Sequence, residues 1–253
     1  MAPRRTFAPE LLDALEVQIA RGLQRFAYSP ATLANSRMFE YVARVMRGRT
    51  ACASAACREH DEKTREDART LCRIAEECGL LTTYARLVFK RARPEQETIE
   101  VLDEAGTILC RLGGPRDLDV SHEPTALADF VAPQRGAVGL FALTTPVPAD
   151  DVARLAEAAH MDIDYVAILA QTLATALVEV ANGVMHEREV APLGRYIAPA
   201  PGYPISPDHA QKRPILEITR ADEMGLTLTE GDMMSPLASI CGFTIVHPEA
   251  CYH

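Results

Sequence analysis

Apolar positions in the first part of the chain follow a helical period. They predict helices over residues 9–27, about 31–47 and about 58–78. Gly48 and Gly79 directly follow the second and third of these segments, as is typical of helix C-termini. We expect the three helices to form a small N-terminal bundle.

After about residue 80 the pattern changes to short runs with β character, namely LVFKRA, ETIEVLDEAGTILCRL and GLFALTT. The DEAG tetrad between two apolar runs predicts a hairpin turn. Residues 149–188 return to a helical pattern, in which Tyr165, Leu169 and Leu173 keep the apolar stripe of a buried helix. A short helix is then predicted from Pro214 and is followed by the strand-like runs LTLTE and SICGFTIVHP.

Helices and strands therefore mix without a repeating βαβ rhythm, which predicts an α+β fold with an antiparallel sheet and flanking helices. We divide the chain into a helical N-terminal region, residues 1–79, and a second domain, residues 80–253. The N-terminal region is a candidate for docking a partner protein.

Charge is distributed unevenly along the chain, whose formal net charge is −9. Residues 1–50 contain eight arginines and four acids, whereas residues 101–253 contain nine basic and twenty-one acidic residues. A basic N-terminal arm is compatible with nucleic-acid binding, but neither aromatic interleaving nor a recognisable motif accompanies it. We favour a helix face that docks an acidic neighbour, and we expect no nucleic-acid partner.

Seven cysteines are present, and their spacings do not suit the usual zinc ribbons. Because the number is odd and we find no secretory leader, we interpret them as reduced, mostly buried thiols of a cytoplasmic protein. No apolar run of transmembrane length is evident, so no membrane span is predicted. The histidines show no metal-ligand cluster.

A proline-rich loop, APAPGYPISPDH, separates the long helix from the last strands. Proline fixes φ and removes a donor, while Gly202 permits the close approach of another group. Tyr203 is placed either to pack over a ligand or to fill the core. On these residues alone a structural loop is the favoured interpretation.

The wider context of this loop carries a resemblance to a known family. APAPGYPISPDHAQK, LTLTEGDMMSP and SICGFTIVHPEACYH, preceded by ALADFVAP, GLFALTT and MHERE in the same order, resemble the C-terminal activation domain of cobalamin-dependent methionine synthase. The resemblance covers about residues 80–253. It implies that S-adenosylmethionine binds here and that its methyl group is presented to a corrinoid on a partner module, with a flavodoxin-like reductant as a further partner.

The resemblance also implies a set of ligand-binding residues. They are Glu179, Ala198, Ala200, Gly202, Tyr203, Tyr252 and His253, with Arg195, Asn182, His186 and His209 as further candidates. Glu179, Asn182 and His186 follow an i, i+3, i+7 stripe, so we expect all three to face one cavity. No catalytic acid–base group and no metal ligand is implied, because the reaction belongs to the cofactor and the protein supplies proximity and orientation.

One residue departs from the family pattern. The family motif begins with an arginine that pairs with the methionyl carboxylate, and Ala198 stands at that position. Loss of such a charge-assisted bond costs about 1.5–3 kcal/mol of binding free energy.

Three functions follow as hypotheses. The first is a stand-alone reactivation subunit of a split methionine synthase, which would make the chain a component of a cobalamin-dependent methyltransferase. The second is a degenerate activation domain that no longer binds S-adenosylmethionine and acts as a cap or assembly factor for a corrinoid protein. The third is a component of another corrinoid-dependent methyltransferase or demethylase system.

Overall fold

A mixed set of helices and strands makes up the protein. The computed structural model describes residues 5–48, 54–116 and 125–250. The helices are α1 (Pro9–Arg21), α2 (Pro30–Leu33), α3 (Ser36–Arg47), α4 (Ala55–Cys78), α5 (Ala149–Ala159), α6 (Ile163–Glu189) and α7 (Lys212–Ile218). The strands are β1 (Gln24–Tyr28), β2 (Thr83–Glu95), β3 (Thr98–Leu102), β4 (Ile108–Leu112), β5 (Ala137–Thr144), β6 (Tyr196–Ile197), β7 (Thr227–Leu228), β8 (Met234–Ser235) and β9 (Ser239–Val246).

One antiparallel sheet organises the chain. Its strands lie in the order β4-β3-β2-β5-β9-β6, and β1 also pairs with β2. The turn between β3 and β4 closes with a hydrogen bond from Asp103 N to Thr107 O, 2.9 Å, as the DEAG tetrad predicted. β7 and β8 form a separate small hairpin. The predicted α+β class with an antiparallel sheet is confirmed.

Both faces of the sheet are buried. Leu87 and Phe141 contribute to a core shared with the large helices, whereas Val88 and Leu140, on the opposite face, pack into a second core that includes Ile215 of α7. This alternation follows from the two-residue period of β-strands. The central strands are therefore apolar on both sides, and one face is available to hold α6.

Helix α6 is the central helix of the first core. By length and composition it could also cross a membrane, which corrects the expectation that no apolar run of that length exists. Leu169, Leu173 and Leu177 are fully buried against the sheet and the neighbouring helices. The apolar composition of α6 is accounted for by this burial.

The N-terminal segment differs from its predicted structure. The predicted helix over 9–27 ends at Arg21, because Gly22 adopts a positive φ of 64°, and the following residues form β1 on the edge of β2. The predicted helix over 31–47 is divided by Asn35, whose side chain accepts a hydrogen bond from Met38 N and caps α3. The third helix begins earlier than predicted, after Ser54.

Two later helices also differ in their limits. The predicted helix over 149–188 is divided into α5 and α6 at His160, which is left-handed, and Asp162, which caps α6. The helix expected to begin at Pro214 begins at Lys212 and is followed by a 3₁₀ turn that ends at Gly225.

Part of the positive charge of the basic N-terminal arm is neutralised within the chain. Four of its arginines pair with acidic side chains, three of which come from the C-terminal part of the sequence. The pairs are Arg5–Glu249, Arg21–Glu189 (3.0 Å), Arg25–Glu223 (3.3 Å) and Arg47–Asp61 (2.7 Å). These arginines belong to α1, α3, β1 and the segment before α1, so they do not form the single helix face that was predicted.

The cysteines only partly follow the sequence interpretation. Cys72, Cys78, Cys110 and Cys241 are free thiols, and burial raises the pKa of Cys72 and Cys241 to about 12. Cys57 is disulfide-bonded, which corrects the expectation of reduced thiols at this position.

Two glycines provide a matched test of the packing. A Cβ at Gly242 in β9 would lie 2.6 Å from Pro199 O and 2.7 Å from Phe141 Cζ, whereas a Cβ at Gly183 in α6 would meet nothing within 4 Å. We expect Gly242→Ala to destabilise the fold by about 1–3 kcal/mol through overpacking. Gly183→Ala should instead stabilise it by about 0.5–1 kcal/mol, because alanine favours a helix interior. Thermal unfolding of both variants measures this, and equal melting temperatures would contradict the packing described for Gly242.

Candidate functional site

The proline-rich loop lies against the edge of the sheet. After the short strand β6, Pro199 O accepts a hydrogen bond from Phe243 N of β9, 3.0 Å. The loop can approach this strand because Gly242 has no side chain to meet Pro199. The chain therefore leaves β6 held against β9, with Ala198 and Ala200 half-buried on either side of Pro199.

A tight turn then presents Tyr203 to solvent. Gly202 N donates to Ser206 O at 2.7 Å, and Ser206 N donates to Tyr203 O at 2.8 Å. Gly202 has φ of 106°, and a Cβ there would overlap the ring of His209. Only glycine satisfies both conditions. The Tyr203 side chain is 63% exposed, so it does not fill the core.

The side chain of Gln211 connects the proline-rich loop to the residue that follows β4. Its Oε1 accepts from Gly113 N and from Ser206 Oγ, both at 3.0 Å, and its Nε2 donates to Gly113 O at 2.6 Å. The neighbouring Gly114 allows Ile205 O to lie close, since a Cβ at Gly114 would be only 2.8 Å from that oxygen. One carboxamide thus ties the loop to the end of β4.

A cavity of about 430 Å³ lies between this loop, the sheet and α6. Its volume falls within the range of about 300–1,000 Å³ that is usual for ligand sites. The lining residues are Phe141, Glu179, Asn182, Ala198, Pro199, Ala200, Tyr203, Pro204, Ile205 and Ile240. Five residues predicted from the sequence therefore meet at one cavity: Glu179, Asn182, Ala198, Ala200 and Tyr203.

Two polar side chains of α6 reach the cavity. Glu179 is exposed on its wall, and partial burial there raises the pKa of its carboxyl group. Asn182 lies one turn further along, and its Oδ1 is buried without a hydrogen-bond partner. A buried acceptor that lacks a donor typically costs about 1–3 kcal/mol. The cavity thus offers one carboxylate, whereas the Asn182 Oδ1 atom has almost no accessible surface.

His186 has a structural role behind the cavity. It is 2% exposed, its Nδ1 donates to Asn182 O, and its Nε2 accepts from Thr244 Oγ1, both at 2.9 Å. Its ring meets Phe141 edge-on at 4.7 Å and stacks on Tyr196 at 5.5 Å. Burial lowers the pKa of His186, which favours the neutral ring. The expectation that it faces the same cavity as Glu179 and Asn182 is therefore wrong.

The remaining candidates do not line the cavity in the described residues. Gly202 and His209 shape the proline-rich loop, and Lys212 Nζ lies 2.8 Å from His209 Nδ1. Arg195 is exposed and is not part of the lining. Tyr252 and His253 fall outside the described residues. Within the described ranges, no three His, Cys, Asp or Glu side chains cluster as a metal site.

Comparison with known proteins identifies the family. The model for the vitamin B12-dependent methionine synthase activation domain matches residues 38–253. The chain belongs to this family. The structure of this activation-domain protein is similar to the crystal structure of the MetH reactivation domain bound to AdoHcy, with a TM-score of 0.74 and 27% sequence identity. The similarity covers 92% of this chain and 80% of that chain.

The match extends further than the sequence resemblance indicated. It begins at residue 38, within α3, and not near residue 80. The residues that the family model matches and the sequence resemblance did not cover are largely those of α4. The charged surface of this helix carries no short motif. The activation-domain family therefore includes much of the helical N-terminal region.

Sequence reasoning missed part of the cavity wall. Phe141 and Ile240 lie on the adjacent strands β5 and β9, and Pro199, Pro204 and Ile205 are loop residues that no motif singled out as ligand contacts. GLFALTT and SICGFT were identified as strands and as parts of the family resemblance, but not as ligand contacts. Their pairing would have indicated that one face of each strand lies under the proline-rich loop.

The raised pKa of Glu179 makes a prediction about stability. Its carboxyl group binds a proton more tightly in the folded than in the unfolded chain, so stability is lost as pH rises through its raised folded pKa. Glu179→Gln removes this cost and should melt at or above the wild-type temperature at about pH 7. Glu187→Gln, an exposed residue of the same helix outside the cavity, is the control. A melting temperature lower for Glu179→Gln than for Glu187→Gln would contradict this account.

Proposed function

We propose that the chain is a stand-alone reactivation subunit of a split cobalamin-dependent methionine synthase. In this role it binds S-adenosylmethionine in the cavity and presents the methyl group to the corrinoid of a partner chain. The observation that carries the proposal is the cavity itself, in which the proline-rich loop and the polar side chains of α6 meet. The similar MetH domain is bound to AdoHcy, the product that S-adenosylmethionine becomes when it gives up its methyl group.

The cavity fits an adenosyl ligand in both size and chemistry. Its wall is mostly apolar, with Tyr203 at the loop and Phe141 on the sheet, as nucleoside sites generally are. Asn182 adds a polar carboxamide side chain to this lining. Glu179 lines the same cavity, where its carboxylate would face a sulfonium or ammonium charge of the ligand.

The protein needs no acid–base catalyst for this role. A corrinoid held by the partner chain would supply the reduced cobalt for this methyl transfer. The chain contributes orientation of the donor and exclusion of water, which are the main sources of acceleration in such a transfer. A loop held by Gln211, Gly202 and Pro199 is a rigid frame for that purpose.

The proposed partners are a cobalamin-binding subunit and a flavodoxin-like reductant, in the cytoplasm. We assign residues 1–79 a part in docking the partner subunit. In the described part of this region, Arg37 and Arg44 make no ion pair, although the Arg44 guanidinium lies 5.6 Å from the ring of Tyr41. Together with Arg47 these residues line a surface depression between α3 and α4.

One observation favours a second function. Ala198 lines the cavity, so the position that carries the carboxylate-binding arginine in the family supplies no charge here. A protein that had lost S-adenosylmethionine binding would act instead as a cap or assembly factor for a corrinoid protein. The wild type and one variant distinguish the two functions.

Calorimetric titration of S-adenosylmethionine into the wild type and Ala198→Arg is the test. We expect micromolar binding by the wild type and about 10-fold tighter binding by the variant, since an added guanidinium–carboxylate pair contributes about 1.5 kcal/mol or more. Ala191→Arg, an exposed position outside the cavity, controls for the added charge. Binding by Ala198→Arg alone would favour the cap, and no binding by either protein would contradict the proposed site.

A further inference from the structure

The described lining of the cavity carries negative charge only. Among its ten lining residues Glu179 is the only one with a formal charge, and none of these described residues is a cation. Arg195, the nearest arginine along the chain, is exposed and lies outside the lining. Lys212 is engaged with His209 and with Asp232 O, 3.1 Å away. Among the described lining residues, an anionic group in the cavity would therefore meet a carboxylate and no compensating positive charge.

The uncharged part of the wall has the same preference. Tyr203 contributes an exposed aromatic ring, and the negative face of such a ring attracts cations. The pKa of Glu179 is raised because hydration is lost without a cation to replace it.

We propose that this cavity selects its ligand by a positive charge, a sulfonium or ammonium next to the adenosyl group, and not by a carboxylate. Its ligand class then includes adenosyl sulfonium compounds that have no carboxylate at all. This inference rests on the proposed function, because it assumes that an adenosyl compound occupies the cavity. It adds a specificity that the site would not have with an arginine at position 198.

Three ligands that differ in their charged groups can test this selection. S-adenosylmethionine has a sulfonium, an ammonium and a carboxylate. Its decarboxylated form lacks only the carboxylate, and S-adenosylhomocysteine lacks the sulfonium charge. Charge interactions at a partly exposed site change affinity by about fivefold. We expect the decarboxylated form to bind about fivefold more tightly than S-adenosylmethionine, and S-adenosylhomocysteine to bind about fivefold more weakly than S-adenosylmethionine.

The experiment is calorimetric titration of these three ligands into the wild type, Glu179→Gln and Glu187→Gln. Glu179→Gln keeps the size of the side chain and should compress the differences among the ligands, whereas Glu187→Gln should bind all three as the wild type does. The order of affinities is independent of any change in stability.

The outcomes distinguish the inference from the function on which it rests. If S-adenosylmethionine binds at least as tightly as its decarboxylated form, or no more tightly than S-adenosylhomocysteine, selection by positive charge is wrong and the adenosyl site stands. The inference would also be overturned if the differences in affinity among the three ligands were the same in Glu179→Gln as in the wild type. If none of the three ligands binds, both the inference and the adenosyl site are wrong.

Discussion

The missing side chain at Gly242 is the constraint on which the site depends. Strand β9 lies between β5 and β6, so it must carry both the sheet and the proline-rich loop. With hydrogen alone at Gly242, Pro199 O reaches Phe243 N and the ring of Phe141 covers the same point from the neighbouring strand. The loop is then fixed from its other side by Gln211. The floor and one wall of the cavity both follow from this contact.

Helix α6 supplies the opposite wall and links the site to the core. Its apolar stripe fixes its rotation against the sheet, because Leu169, Leu173 and Leu177 are fully buried. Glu179 and Asn182 follow on the same helix and reach the edge of that contact, where the sheet ends and the loop begins. A carboxylate whose pKa is raised by lost hydration is unfavourable in an isolated fold. It fits a cationic ligand.

Local patterns predicted the elements that local interactions decide. The DEAG turn and the stripe of α6 were correct because turn residues and helical periodicity act over a few positions. Residues 24–27 were predicted as helix but belong to β1, since pairing with β2 some sixty residues later outweighed local preference. The site residues also divide into those that were predicted from the sequence and those that depend on distant strand pairing. Glu179, Ala198 and Tyr203 were found through a family resemblance, whereas the place of Phe141 depends on strand pairing that no single segment encodes. His186 shares the helical stripe but lies further along α6, where β9 covers it.

The central claim is that an adenosyl sulfonium occupies the cavity between α6 and the proline-rich loop. A crystal structure of the protein grown with S-adenosylmethionine tests it most directly. The account predicts the ligand beside Tyr203, with its sulfonium or ammonium facing Glu179 and its carboxylate directed to solvent without a protein cation. A ligand bound elsewhere, or one whose carboxylate is held by an arginine such as Arg195 inside the cavity, would contradict the account.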